Sequence, residues 1–200
     1  MANAEIISIG SELLLGQIMD TNASWMAQRL TDLGVNLFYK TVVGDNPDRM
    51  AEVIERALER SDIVITGGGL GPTQDDITRE IVAQVTNRKL VKEPELVLQL
   101  QERFQKRGMI MTLNNERQAF IPEGSIIVNN PNGTAPSFIV EDPRAAIFTL
   151  PGVPFEMKWL FDNEVAPYLR QKFNLAETII YRVLKVAELG ESRVDDAIGH

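Results

Sequence analysis

The sequence has no cysteine and a single histidine, His200, its last residue. Without cysteine there is no disulfide, no thiolate nucleophile and no Cys-ligated zinc. With its one imidazole at the terminus, Ser-His-Asp chemistry and histidine general bases are not expected inside the fold. Chemistry falls instead to carboxylates, hydroxyls, backbone N–H groups, Lys and Arg, and oxygen-bound metals. No apolar run approaches the roughly 20 residues of a membrane span. Met1-Ala2-Asn3-Ala4-Glu5 puts no basic region ahead of the first short apolar stretch. A secretory signal is therefore not expected, and a cytoplasmic location is. Basic residues are in the minority, 20 against 28 acidic, for a net charge of −8. That balance argues against nonspecific binding to nucleic acid or an anionic membrane, which takes cationic surface.

What is present is ordinary for a globular chain of 200 residues: 44% hydrophobic and 24% charged. Whole-chain disorder is excluded, and a chain this long can build a core without staples. Ile6-Ile7-Ser8-Ile9 reads as a strand buried on both faces. Thr21 to about Leu33 reads as a helix capped by Asp20 or Thr21, with Trp25, Met26, Ala27, Leu30 and Leu33 on an apolar stripe. Val35 to Val43 is a second strand. Asn46-Pro47 starts a helix bearing Met50, Val53, Ile54, Ala57 and Leu58. Asp62 to Thr66 is a third strand. Helices from about Ile77 and from Pro94 follow.

After Pro122 the texture changes to short β-like runs, Ile126–Val128, Ser137–Val140 and Ala145–Leu150. A helix opens at Pro154. Alternating strands and helices predict a parallel sheet, to which the late β-runs add an antiparallel pair. Trp25, Trp159 and the methionines read as core. Residues 1–174 form one expected domain. In 175–200, a strand Thr178–Val186 and a helix started by Ser192 and Asp195 in a capping-box-like pattern predict the start of a second module.

The strongest local signal is Gly67-Gly68-Gly69-Leu70-Gly71-Pro72-Thr73-Gln74-Asp75-Asp76, between a strand and a helix. Glycines permit positive φ and close backbone approach, and a βα turn at a helix start offers N–H groups to phosphate. A plain tight turn would not need four glycines in five positions. Neither the Lys-Ser/Thr of a P-loop nor the third glycine of a dinucleotide fingerprint is present. Asp75 and Asp76 could cap the helix, but one Asp suffices for that. Two carboxylates beside a phosphate cradle suggest a hard cation such as Mg²⁺ between them. Loops around Ser11 and Glu12, Asp45, Asn132-Gly133-Thr134 and Pro151-Gly152 also follow strands. In open α/β sheets ligands bind at that edge.

The segments Gly68-Gly69-Leu70-Gly71-Pro72-Thr73-x-Asp75-Asp76-x-Thr78, Gly10–Gln17, Asp20-Thr21-Asn22, Val43–Asn46, Asn129–Ala135 and Pro151–Glu156 together resemble the N-terminal part of the competence/damage-inducible protein A family. Its fold is that of molybdopterin-binding, molybdenum-cofactor-biosynthesis domains. The resemblance implies a three-layer α/β/α sandwich. It implies ADP-ribose pyrophosphatase activity, dependent on a divalent metal (Mg, Mn or Co) and potassium, yielding AMP and ribose 5-phosphate. Full-length relatives continue into a nicotinamide-nucleotide amidohydrolase domain, whose deamidase activity does not carry over. In the molybdopterin adenylyltransferase branch, functional aspartates align with Asp76 and Asp45. Asp75 replaces a basic residue of that branch, which favours extra metal binding at a pyrophosphate.

The expected site follows. Asp76 and Asp45 are catalytic, and Asp75 and Asp76 hold metal. Ser11, Glu12, Gly67, Gly68, Gly69, Gly71, Thr73, Asn132, Gly133, Thr134, Pro151 and Gly152 bind substrate. The expected partner is a small-molecule nucleotide, with homo-oligomer formation left open. Adenylyl transfer to a pterin, or a non-catalytic nucleotide- or pterin-binding module, are the alternatives.

Overall fold

A computed structural model of the chain describes residues 2–175, 185–187 and 190–198. Strand β1 (Asn3–Ile9) passes through one helical turn, α1 (Ser11–Leu14), into α2 (Thr21–Asp32) and β2 (Asn36–Val43). Then come α3 (Pro47–Arg60), β3 (Ile63–Gly67), α4 (Thr78–Val85), β4 (Leu90–Lys92) and α5 (Pro94–Lys106). A turn of helix, α6 (Leu113–Glu116), precedes β5 (Phe120–Pro122), β6 (Ile126–Val128), β7 (Ser137–Glu141) and β8 (Ala146–Leu150). Helix α7 (Pro154–Leu160) runs through a π-helical stretch, Phe161–Val165, into α8 (Ala166–Lys172), and α9 (Glu191–Ile198) comes last.

Among the described residues the main sheet has six strands in the order β2-β1-β3-β8-β7-β6. The first four are mutually parallel, and β7 and β6 add on in antiparallel fashion. Period-two alternation sends neighbouring residues to opposite faces. Ile7, Val64 and Ile147 join one core with Met50, Ile54, Val82 and Leu100 of α3, α4 and α5. Ile6, Ile65 and Phe148 join the other with Met26, Leu30, Met157 and Leu169 of α2, α7 and α8. The result is a three-layer α/β/α sandwich.

Local chemistry sets the helix starts. The Asp20 carboxylate accepts the Ala23 N–H at 2.9 Å, and Asn46 accepts from Arg49 at 3.1 Å with Pro47 at the first helical position. The π-helical stretch falls just ahead of Pro167. Proline lacks an N–H and its ring crowds the carbonyl four residues earlier, so a widened turn relieves that contact without breaking the helix.

Several expectations need correction. Met26, Met50 and Met157 are core, but Met19 and Met109 are 86% and 56% exposed. Met19 lies in the loop between α1 and α2, and Met109 in the loop after α5. Trp25 and Trp159 are only partly buried against the core. The antiparallel pair β4–β5 has only three residues a side, too few for a periodic signal. Helix α9 begins at Glu191, with the Gly190 carbonyl accepting from Arg193 and Val194, so Ser192 lies inside the helix rather than at its cap. Of the expected strand Thr178–Val186, residues 178–184 lie outside the described residues, and Lys185–Ala187 have no regular structure.

Candidate active site

The chain moves from β1 to β2 on one side, then returns to place β3 on the other side of β1. That reversal opens a crevice at the carboxyl ends of the strands. A cavity of about 550 Å³ fills it, walled by the loops after β1, β2, β3 and β8.

The loop after β3 forms its floor. Gly68 and Gly69 have φ of +110° and +66°, and a Cβ would lie 2.3 Å from the Ile9 carbonyl oxygen and 2.1 Å from Thr78 Oγ1 respectively. Only glycine fits both conformation and space there. The Gly68 N–H donates to Leu150 O, and Thr78 ties the loop back through Oγ1–H to Gly68 O at 2.9 Å. The Gly69, Leu70 and Gly71 N–H groups have no acceptor among the described residues. Beneath the loop lies Arg79, fully buried, donating to Leu70 O at 2.7 Å and Gly71 O at 2.8 Å. Burial holds its pKa below the usual arginine value; Glu80 and Asp76 oppose the shift, and Arg117 adds to it.

The carboxylates are fixed by short local bonds. Asp76 Oδ2 accepts from the Thr73 N–H at 2.9 Å and Oγ1–H at 2.5 Å. Asp76 thus closes its own turn and does not cap α4, which starts after Ile77 with no side-chain cap. Asp45 Oδ2 accepts from the Ser11 N–H at 2.9 Å and the Ser11 Oγ–H at 2.8 Å, joining the loops after β1 and β2. Asp20 caps α2 with one oxygen and with the other accepts a hydrogen bond from the Ser8 hydroxyl at 2.5 Å. Glu156 accepts from buried Asn130 at 2.6 Å. Among the described residues the wall carries six carboxylates, Glu12, Asp20, Asp45, Asp75, Asp76 and Glu156, and no Lys or Arg.

A family model described as "Probable molybdopterin binding domain" matches residues 5–171. The chain belongs to this family. Within the molybdopterin-binding family it stands with CinA. The CinA protein of Thermoplasma acidophilum is 32% identical with a TM-score of 0.76, over 86% of this chain and 97% of that one. A protein of Caldicellulosiruptor saccharolyticus, provisionally named competence-damage inducible, is 48% identical over 98% of this chain but 47% of its own length. The chain thus spans about half the length of the curated relatives it matches. The molybdopterin biosynthesis enzyme MoaB of Thermus thermophilus shares the fold, with a TM-score of 0.59 at 20% identity over 88% of this chain and 96% of that one.

In this molybdopterin-binding-family domain, Glu12, Asp45, Gly67, Gly68, Gly69, Gly71, Thr73, Asp75, Asp76, Thr134, Pro151 and Gly152 line one cavity. Ser11, Asn132 and Gly133 lie outside that lining. Ser11 holds Asp45, and the Asn132 and Gly133 N–H groups both donate to Asn130 Oδ1 at 3.1 Å. Residues not singled out in advance are Ser8, Asp20, Asn22, Arg79, Gln118, Asn130 and Glu156. Asn22 donates to Gly152 O at 2.7 Å and Gln118 to Leu70 O at 3.3 Å. Asp20, Asn22, Asn130 and Glu156 lie in the segments that carry the family resemblance, so that signal was available. Arg79 and Gln118 had none.

Proposed function

We propose that this domain hydrolyses the pyrophosphate of ADP-ribose, or a closely related nucleotide, to AMP and ribose 5-phosphate with a divalent cation. The observation that carries the reading is a glycine loop whose N–H groups have no acceptor among the described residues, set in a wall to which those residues bring six carboxylates and no Lys or Arg. The N–H groups suit phosphate oxygens. The carboxylates repel them unless cations stand between.

The donor set fits a hard ion. It offers oxygen and no nitrogen or sulfur ligand, which suits Mg²⁺ or Mn²⁺ and also admits Co²⁺ or K⁺ through oxygen. Among the described residues no three Asp, Glu, His or Cys side chains form a ready metal cluster. The ion would therefore be shared with the substrate's phosphates, held by Asp75 and Asp76. In Asp76 and Asp45 the local bonds fall on Oδ2 alone, leaving Oδ1 for ion, water or substrate. When bound, the ion would lower the pKa of water and neutralise charge on the phosphates.

The chain's own residues do the rest. The Gly69–Gly71 N–H groups bind the nonbridging oxygens that gain charge in the transition state. Asp76, rigid in its turn, orients the attacking water. Water adds to one phosphorus, the bridging P–O bond breaks, and each product keeps one phosphate. Glu12, Asn22, Thr134 and Gly152 border the part of the cavity left for ribose and base.

A second reading is a nucleotide- or pterin-binding domain without hydrolysis, or one that transfers adenylyl to a pterin. It is favoured by the fold shared with MoaB. The experiment is incubation with ADP-ribose, Mg²⁺ and K⁺, with AMP measured by chromatography. Stoichiometric AMP, abolished by chelator, is expected. Thermal shifts with ADP-ribose but no AMP would refute hydrolysis in favour of the binding role.

A further inference from the structure

We propose that Arg79 is a positioning residue that makes the glycine loop an anion site, by setting one buried positive charge behind the Leu70–Gly71 peptide, whose N–H faces the cavity. The proposal rests on reading that loop as the phosphate site, not on turnover.

The geometry starts from one peptide unit. Leu70 C=O and Gly71 N–H belong to the same planar trans peptide, so they point in opposite directions. The Leu70 carbonyl is turned inward, where it accepts from both Arg79 Nη1 and Gln118 Nε2. The Gly71 N–H therefore points away from Arg79, and Gly71 lines the cavity. A cation on the carbonyl oxygen draws electron density from the amide and strengthens its N–H as a donor. Arg79 also holds the next carbonyl, Gly71 O, at 2.8 Å.

Holding the loop does not by itself require a charge. Gln118, only 1% exposed, already supplies a neutral donor to the same oxygen. A buried guanidinium is costly unless paired, and Arg79 makes no ion pair among the described residues. Its Nε also lacks a partner. The charges that bear on it are Asp76 and Glu80 on one side and Arg117 on the other. Asp76 is itself in the cavity wall. A ligand phosphate on the glycine loop would complete the compensation that Asp76 and Glu80 begin. Arg79 thus acts on the cavity from behind the backbone, where its guanidinium is tied to Leu70 O and Gly71 O rather than reaching out to a ligand.

The test reads binding, by calorimetry at fixed ionic strength with Mg²⁺, of AMP against uncharged adenosine. In Arg79→Gln, AMP affinity should fall roughly tenfold to a hundredfold, the scale of one charge-assisted interaction, while adenosine stays within about twofold. Gln118→Met removes a neutral donor from the same carbonyl and should move both ligands together. Should Arg79→Gln melt below the assay temperature, Arg79→Lys provides the second reading. A buried ammonium has a lowered pKa, so its AMP affinity should fall between pH 7 and pH 9.5 while its adenosine affinity and the wild type's AMP affinity do not. Equal losses for AMP and adenosine in Arg79→Gln, or a flat pH profile in Arg79→Lys, would overturn the proposal. Wild-type protein that binds no AMP would overturn the functional reading and this inference with it.

Discussion

Replacing Asp76 with Asn separates the two roles its carboxylate can have. Structurally, Asp76 Oδ2 accepts two hydrogen bonds from Thr73, at 2.9 Å from the amide and 2.5 Å from the hydroxyl. An Asn amide oxygen can accept both, so the turn stays closed. What is lost is charge assistance, about 1 kcal/mol for a half-buried group, and the offset that Asp76 gives buried Arg79. Together these should destabilise the domain by about 1–2 kcal/mol, or about 2–8 °C in Tm at this size. Asp76→Ala removes the acceptor altogether and should cost more. Turnover should respond far more steeply. Removing one preorganised electrostatic group costs about 10²-fold or more in rate. The assay is AMP release from ADP-ribose with Mg²⁺, alongside a thermal melt of each variant. An Asn variant that keeps more than about a third of wild-type turnover would refute the catalytic assignment, since the charge is the only feature it lacks. An Asn variant as unstable as the Ala variant would refute the account of the turn.

The glycine loop, the Asp142–Arg144 pair and the end of the core each carry a further expected outcome. Gly69→Ala must adopt φ near +66° with its Cβ 2.1 Å from Thr78 Oγ1, so it should lose about 2–4 kcal/mol from strain and overpacking; a denaturant midpoint unchanged from wild type would contradict the loop geometry. Burial raises the Asp142 pKa but hydrogen bonds and charge from Arg144 outweigh it, leaving the value lowered. Its stabilisation is therefore full above the unfolded value and fades as pH falls through the lower folded one, so Tm should drop below about pH 4 and Asp142→Asn should flatten that limb. Deleting Glu177–His200 should leave a cooperatively melting domain, because Phe173 and Leu175 already close the core beside α8; an unfolded circular dichroism spectrum would show that the deleted residues complete it.

What was legible in the sequence was local chemistry and periodic burial. Asn46-Pro47 announces a helix start because a short polar acceptor and a fixed φ suffice there. The glycine loop was legible because no common element needs four glycines after a buried strand. The parallel sheet followed from alternation, and with it the convergence of loops after β1, β2, β3 and β8. What stayed hidden depends on long-range placement. Arg79 sits in Thr78-Arg79-Glu80 at a helix start, where an arginine ordinarily lies in water, and only the tertiary fold buries it beneath Leu70 and Gly71. Ser11 was expected to face the ligand, yet its hydroxyl is taken by Asp45, 34 residues on. Asn130 was not singled out among its loop neighbours, yet its buried amide orders Asn132, Gly133, Ala135 and Glu156.

The acidic wall also constrains how metal and nucleotide bind. With no ready cluster of metal ligands among the described residues, the empty cavity should hold Mg²⁺ weakly. With six carboxylates facing it, the same cavity should hold a metal-free nucleotide weakly as well. Each ligand removes the repulsion that weakens the other. Linkage then requires equal effects: the factor by which Mg²⁺ tightens the nucleotide equals the factor by which the nucleotide tightens Mg²⁺. A coupling of 1–3 kcal/mol, about 5- to 150-fold, is the usual range. Calorimetry with a non-hydrolysable ADP-ribose analogue measures both sides of that cycle. Strong Mg²⁺ binding to the protein alone, unchanged by the analogue, would mean that the protein's own carboxylates suffice and that the phosphates are not ligands to the ion.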